Sequence, residues 1–476
     1  MKQTRDHRTR ASFGMTRREF VKAGAVGMTS LMAGAALGAR APAIRTGKRS
    51  NILLMMTDQQ GLGTISALGC KELHTPNLDR LVRRGVSFMQ SHSADPVCSP
   101  ARASMITGRM PSETGVVRNV IPIRAEVPNI GQWFGQEGYE TIWAGKCDLP
   151  EPNPATMPGF TVLPAGVASQ GNLGDSAISR ACEGYLRNRV GNAPPFLMVA
   201  SLFQPHDICS WHARHMSPDG WEAPPKIAGK FPKLPPNFNY DPREPKAMSV
   251  RRPNWSEEQW RYYLWAYYRH VEMADAEIGR ILDALEDSGE AENTVIVFTS
   301  DHGEGRACHH MIGKNYAYDE AVKVPLLVSY PGRIPEKKQD LAHLVSGIDI
   351  TPTICDFLGI KTPPDVTGRS LRPLLEGKTT EWREFVAAEV KIIGRMIRTP
   401  TYKYVTYKGD PVEQLFDMQA DPGETKNLAG DGKHDSVLED HRKLLKEWES
   451  HLKVAPPSAA VWEHWPLPFG VVALSY

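Results

Sequence analysis

The sequence predicts an α/β protein: a mostly parallel sheet sandwiched by helices, followed by a smaller C-terminal antiparallel sheet with a helix. Three observations predict it. Short apolar runs bounded by turn residues alternate with helical stretches between about residues 50 and 377, the pattern of a parallel sheet buried on both faces. After about Gly377 the runs become short, alternating and separated by turn residues, which reads as antiparallel strands. The 476 residues, 41% hydrophobic and 23% charged with 40 Gly and 38 Pro, are ordinary globular composition with ample core, so disorder, collagen and coiled coil are excluded.

The N-terminus is set apart by charge. Residues 1–43 hold eight Lys/Arg against two Asp/Glu, and without them 56 against 54 becomes 48 against 52. A mildly acidic body argues against a phosphate-backbone binder, so no nucleic-acid partner is expected. Thr16-Arg17-Arg18-Glu19-Phe20-Val21-Lys22 precedes a weakly apolar run from Ala23 to Ala39, and Ala39-Arg40-Ala41 and Ala41-Pro42-Ala43 offer small-residue cleavage sites. This is a signal peptide, and its paired arginines resemble a twin-arginine export signal. The run holds four glycines and a Thr-Ser pair, weak and short for a span, and no cysteine lies near the cut. The expectation is a protein exported already folded, periplasmic or secreted, with no stable membrane anchor. Seven widely spaced cysteines without a CxxC spacing suggest neither a disulfide frame nor a structural zinc site.

Along the body, Ser50–Thr57 is a continuous apolar run ending at Asp58-Gln59-Gln60-Gly61, a buried parallel strand. Thr75-Pro76 opens a helix, with Thr as cap, Pro at the first position, and Leu78, Leu81 and Val82 on one face before Gly85. Further strands are expected at Glu140–Ala144, Phe196–Phe203, Thr294–Ser300 and Val324–Ser329. A helix over Ser256–Asp287 carries Ser256 and Gln259 as a capping box. Two Pro-rich stretches, 150–166 and 218–253, read as long surface loops of the kind that line active sites. Phe385–Val390, Arg395–Arg398, Tyr402–Tyr407 and Gln414–Asp417 form the small sheet, and a polar helix follows at about Ser436–Leu452. The expected organisation is a signal peptide at 1–43, a catalytic domain at 50–377 and a C-terminal α+β subdomain with tail at 378–476.

In open parallel sheets, ligands bind beyond the carboxyl ends of the strands. Just past these strands come Asp58 and Gln59, then Lys146 and Asp148, then His206, then Asp301 and His302. Singly each has a bland reading as a turn or cap residue; together they bring acids, imidazoles and a lysine to one rim. Asp58, Gln59, Asp301 and His302 offer mostly oxygen, which suits calcium, with magnesium second. A third element is Asp95-Pro96-Val97-Cys98-Ser99-Pro100-Ala101-Arg102, in which Pro100 lies near the start of a helix running to Gly108. That places Cys98 at a helix N-terminus, where the dipole and free N–H groups favour anions, with Arg102 one turn on.

Cys-Ser-Pro-Ala-Arg at 98–102 resembles the signature of the formylglycine-dependent sulfatases of the alkaline-phosphatase superfamily. The resemblance runs through TDQQ, TGRMPSETGV, the Lys146 turn, the Pro-His of 204–207, TSDHGEG, GKNYAYDEAVKVPLLV and the late MIRTPTYKYV and LFDMQADPGETKNLA. It implies an alkaline-phosphatase-like fold and a sulfuric ester hydrolase whose Cys98 is converted to 3-oxoalanine (formylglycine) by a maturing enzyme before export. It further implies that Asp58, Gln59, Asp301, His302 and modified Cys98 hold the metal, and that Arg102 stabilises the aldehyde hydrate. Lys146 and Lys314 would grip the sulfate, His206 would act near the leaving group, and Asn119 would give a polar contact. The substrate would be a small or oligosaccharide sulfate ester.

The Asp-Gln and Asp-His pairs resemble the choline-sulfatase and phosphonate-monoester-hydrolase branch. A phosphonate monoester or phosphodiester hydrolase, a choline-sulfatase-like enzyme and a non-catalytic glycan-binding homologue are the alternative readings. Where many relatives have Lys-x-His, this chain has Lys146-Cys147-Asp148. Either Asp148 or His309 takes over part of the missing histidine's role, or that position meets a different substrate group. Trp211, close after His206, is a candidate for stacking on a sugar ring.

Overall fold

The computed structural model describes residues 49–149, 157–165, 170–216, 221–224, 226–248 and 250–456. The expected export signal, parts of both Pro-rich loops and the end of the tail lie outside them. The main sheet has eight strands in the order Thr161–Val162, Glu140–Gly145, Phe196–Pro205, Asn51–Asp58, Thr294–Ser300, Leu326–Ser329, Gly85–Phe88 and Lys338–Asp340. Asn51–Asp58 lies at its centre, parallel to both neighbours, and every residue of it is buried.

An apolar run buried on both faces must divide its side chains between two cores. Ile52, Leu54 and Met56 join Val199 and Val297 on one face. Leu53 and Met55 join Met198, Ala200 and Phe298 on the other. Each of the larger buried side chains contributes about 1.5–3 kcal/mol relative to an exposed one, which fixes the register of the central strands and so the height of their ends. The second core is closed by helices Gly171–Arg187 and Glu257–Asp287. The latter starts at the expected capping box: Gln259 N donates to Ser256 Oγ at 3.2 Å and Ser256 N to Gln259 Oε1 at 2.8 Å.

The sheet departs from the sequence reading at one side. Leu326–Ser329 runs antiparallel to both Thr294–Ser300 and Gly85–Phe88. Gly85–Phe88, expected only as the end of a helix, is itself a strand; a Cβ on Gly85 would lie 2.0 Å from the Val328 carbonyl oxygen, so glycine is required there. Thr75 precedes helix Pro76–Arg84 without capping it through its side chain. Its hydroxyl instead accepts from Ser66 N at 2.9 Å.

The separate four-stranded sheet is antiparallel in chain order: Val386–Val390, Gly394–Arg398, Tyr402–Tyr407 and Gln414–Asp417. Helix Asp435–His451 packs Leu438 and Leu445 against Ile397, Tyr404 and Leu415 of this sheet. The opposite face packs Val405 and Phe416 against Tyr316 and Tyr318, just beyond Lys314. No helix among the described residues is long and apolar enough to cross a membrane.

Candidate active site

The carboxyl ends of four central strands bring Asp58, Lys146, His206 and Asp301 to one rim. Lys146 is aimed there by Gly145, whose φ is 95° and whose Cβ, if present, would lie 2.0 Å from Ser201 O. Only glycine satisfies both constraints, and the turn closes with Lys146 N donating to Ser201 O at 2.9 Å.

Cys98 is the first residue of helix Cys98–Thr107, which ends at Gly108 in the left-handed conformation. Pro100 falls in the first turn, where a missing N–H costs nothing. Ser99 N donates to Asn119 Oδ1 at 3.0 Å, and Ser99 Oγ donates to Asp148 O. Cys98 Sγ lies 3.2 Å from His302 Nε2, 3.1 Å from Lys314 Nζ and 3.9 Å from Lys146 Nζ. Asp58, Cys98, Asp301 and His302 are all buried, and one donor atom from each lies within 4.8 Å of the others. Asp58 Oδ1 is buried there without a hydrogen-bond partner. An unpartnered carboxylate oxygen facing this donor set fits a bound cation.

Gln59 adopts a left-handed φ of 71°, and Lys314 Nζ donates to its Oε1 at 2.8 Å. Its amide nitrogen donates to Glu304 and to Cys209 Sγ. Glu304, fully buried, also accepts from Tyr263 Oη and Gly313 N. Glu304 thus fixes which end of the Gln59 amide faces the site, a role the sequence reading missed although Glu304 lies within its own TSDHGEG motif.

Arg102 lies beneath the cluster. Its Nε donates to Asp301 at 2.9 Å, Nη2 to Asp58 at 3.2 Å, and Nη1 to Ser201 Oγ at 2.7 Å and Lys146 O at 3.1 Å. Arg102 is thus a brace between two carboxylates, a role that the sequence did not indicate.

The electrostatics follow from dense burial. Burial raises the Asp58 carboxyl, but Lys146, then His206, Lys314 and Arg102, outweigh it and hold it well below the carboxylate range. Burial holds the His302 imidazole down at about 4, leaving it neutral and able to ligate. Burial, then Asp58, pushes the Cys98 thiol up to about 12. Burial, then Lys146, holds His206 well below its ordinary value. Lys146 is held charged, Asp148 and Asp58 overcoming its burial. Lys146 pairs with Asp58 and, at 3.1 Å, with Asp148.

These groups open into a cleft of about 290 Å³ lined by Cys98, Asn119, Lys146, Asp148, His206 and Lys314, and also by Phe203, Cys209, Arg251, Gly313 and Asn315. The last five were not singled out from sequence: Phe203 comes from strand Phe196–Pro205 and Cys209 from helix Ile208–His215, Arg251 is nonlocal, and Gly313 and Asn315 flank Lys314. His309 is placed elsewhere. It is 1% exposed, its ring stacks on Tyr318 at 3.8 Å, and its Nε2 is 3.4 Å from Asn237 Nδ2. It therefore does not replace the missing histidine, whereas Asp148 does reach the cleft. Trp211 stacks on His215 at 5.0 Å and packs its edge on Tyr262, so it is a packed aromatic of helix Ile208–His215.

Comparison with known proteins places this geometry. The family model described as Sulfatase matches residues 50–360, and that described as N-sulphoglucosamine sulphohydrolase, C-terminal, matches 307–451. The chain is 32% identical over 444 residues to a Delta 4,5-hexuronate-2-O-sulfatase of Bacteroides thetaiotaomicron, covering 85% of this chain and 90% of that one. Among solved structures it is similar to a 2-O GAG sulfatase, with TM-score 0.73, 28% identity and coverage of 85% and 92%. It is also similar to the phosphonate monoester hydrolase of Agrobacterium radiobacter, with TM-score 0.72, 25% identity and coverage of 85% and 96%.

Proposed function

This chain belongs to the sulfatase family and is a sulfuric ester hydrolase, and from that premise we propose that it removes sulfate from an anionic saccharide of glycosaminoglycan type, using a formylglycine made from Cys98 beside a divalent cation. The observation that carries this reading is the buried sulfur of Cys98, at a helix N-terminus, packed between His302 and Lys314 inside the Asp58–Asp301 cluster.

With its pKa near 12, an unmodified Cys98 stays a protonated thiol at neutral pH and is a poor nucleophile. Oxidised to formylglycine, residue 98 would supply a geminal diol, with one hydroxyl for attack on sulfur and a second for release of sulfate, chemistry that a thiol lacks. Asp58, Gln59, Asp301 and His302 would hold the cation, which supplies charge neutralisation on the ester; this donor set suits calcium, with magnesium second.

The chain's own residues do the rest. Lys146 and Lys314 flank Cys98 and bind the non-bridging oxygens as charge builds on them, and such preorganised charge usually contributes most to catalysis of this kind. Arg102 pairs with both Asp58 and Asp301 and holds them fixed. Burial, then Lys146, holds His206 well below its ordinary value, and its place in the cleft beside Lys146 and Cys98 suits it to act at the leaving oxygen. Asn119 and Asp148 line the same cleft and would meet the sugar. Maturation by a formylglycine-generating enzyme and export through a twin-arginine route complete the reading.

The test is turnover of 4-nitrophenyl sulfate and a panel of sulfated saccharides by the matured chain and by Cys98→Ala. Full-speed cleavage by Cys98→Ala ends the proposal. A second reading, phosphonate monoester hydrolysis, is favoured by the likeness to the Agrobacterium radiobacter enzyme. Faster turnover of an aryl phosphonate than of the matching aryl sulfate would favour it.

A further inference from the structure

His206 follows the end of strand Phe196–Pro205 and lines the cleft with Lys146 and Cys98. What acts on its imidazole is burial, then the charges of Lys146, Asp58, Lys314 and Asp148. No hydrogen bond is among them, so the aim of the ring is set by packing and by the backbone that carries it.

That backbone is held by two aspartates. Asp175, 2% exposed on helix Gly171–Arg187, accepts from Phe203 N at 2.7 Å and Gln204 N at 2.9 Å, just before His206. Asp207, just after it and 5% exposed, reaches back to the start of the same helix. Its Oδ1 accepts from Gly171 N at 2.9 Å, and its Oδ2 accepts from Asn172 N and from Gln204 Nε2, each at 2.8 Å. The strand end and the helix start thus exchange bonds in both directions, with His206 between them. Two features mark the arrangement as specific. Asp207 occupies the N-cap position of its own helix Ile208–His215, where an aspartate ordinarily accepts from that helix's second or third N–H, yet its side chain makes no such bond and caps the neighbouring helix instead. A Cβ on Gly171 would lie 2.5 Å from Gln204 Cγ and 2.8 Å from Gln204 N, so glycine is needed for the helix start to come this close.

Resting on the reading of His206 as the group that acts at the leaving oxygen, we propose that Asp207 is a positioning residue, which holds the imidazole on the leaving-oxygen side of the cleft through its bonds to Gly171, Asn172 and Gln204. A proton donor works only within hydrogen-bond reach of its target, and a displacement of about 1 Å can cost about 100-fold. Asp207→Asn cannot keep all of these bonds. With its amide nitrogen in the place of Oδ2 it faces two donors, and with the amide turned over it faces Gly171 N. The turn that carries His206 then loosens, while Cys98, Lys146 and Lys314 keep their own contacts.

The test measures kcat/KM of the matured full chain, Asp207→Asn, His206→Ala and the double variant on 4-nitrophenyl, phenyl and 4-methoxyphenyl sulfate. The leaving oxygen becomes more basic along this series and depends more on a proton. All three rates of a variant come from one preparation, so their ratio does not depend on how much of the protein folds. The expected result is that Asp207→Asn loses about 10- to 100-fold more on the 4-methoxyphenyl ester than on the 4-nitrophenyl ester. His206→Ala loses at least as much more, and adding Asp207→Asn to it steepens the series no further. An equal loss on all three esters, no loss, or a steepening that adds in full to that of His206→Ala overturns the positioning role while leaving His206 its own. A flat series for His206→Ala ends the leaving-oxygen reading, and the positioning role ends with it. If Asp207→Asn yields no folded protein, Gln204→Met takes its place, removing one of the bonds at similar volume; an extra loss of about 2- to 10-fold on the 4-methoxyphenyl ester supports the proposal, and none overturns it. Should the chain turn over aryl phosphonates in place of sulfates, the same series of phosphonate esters reads out the same outcomes.

Discussion

Replacing Arg102 with methionine removes the guanidinium held between Asp58 and Asp301, all three side chains being 0% exposed. Methionine fills similar volume, so the change is one of charge and hydrogen bonding. Asp301 loses a partner at 2.9 Å, Asp58 loses one at 3.2 Å but keeps Lys146, and Ser201 Oγ and Lys146 O lose their donors. Breaking a buried ion pair costs about 3–5 kcal/mol, and the surviving Lys146–Asp58 contact keeps the expected cost at about 4 kcal/mol. A folded body of roughly 400 residues unfolds with about 0.8 kcal/mol per kelvin, so the metal-stripped variant should melt about 5 °C lower. The assay is thermal unfolding of both proteins in chelator at neutral pH, then with excess calcium. A cation at Asp58 and Asp301 replaces part of the lost charge, so the gap should narrow when calcium is added. Arg102→Lys, which keeps the charge without the fork, should fall between. A metal-stripped Arg102→Met protein melting within about 1 °C of wild type would refute the brace.

Three further outcomes follow. Lys314→Ala should lower kcat/KM on an aryl sulfate by about 10²–10³, since its ammonium lies 3.1 Å from Cys98 Sγ; steady-state kinetics showing less than a tenfold loss would remove it from the sulfate grip. Glu304→Gln leaves the Gln59 amide and Tyr263 competing for one acceptor, and calorimetric titration should show divalent-ion affinity weakened about 10- to 100-fold. Asp175 accepts from Phe203 N at 2.7 Å and Gln204 N at 2.9 Å, and burial raises its carboxyl to about 7. A raised carboxyl contributes stability that is full below its unfolded value near 3.8 and is lost as pH rises through about 7. Asp175→Asn should flatten that decline, by of order 4 kcal/mol across the window; unfolding profiles of unchanged slope would show that Asp175 does not titrate there.

The elements legible in the sequence were those whose burial is two-sided or whose ends carry side-chain signals. Asn51–Asp58 announces itself because both faces are buried, and Glu257–Asp287 because Ser256 and Gln259 cap it. The polar residues after the strands were legible for the same reason: once the strands are placed, Asp58, Lys146, His206 and Asp301 must emerge at one end. What sequence could not carry was nonlocal. The antiparallel direction of Leu326–Ser329 depends on pairing with Gly85–Phe88, which reads as a helix ending because it is only four residues long. His309 lies in the same loop as Lys314, and nothing in their spacing says that one stacks on Tyr318 while the other faces Cys98. Arg102 was placed near the right group, but one turn of helix can point a long side chain toward the cleft or beneath it. Burial decided for beneath, where two carboxylates wait.

The most direct test of the account is the mass of the residue-98 peptide in catalytically active protein, measured alongside specific activity on an aryl sulfate across preparations matured to different extents. The account predicts an aldehyde in place of the thiol, with activity rising in proportion to the aldehyde fraction. Full activity in protein whose residue 98 is entirely the thiol would contradict it.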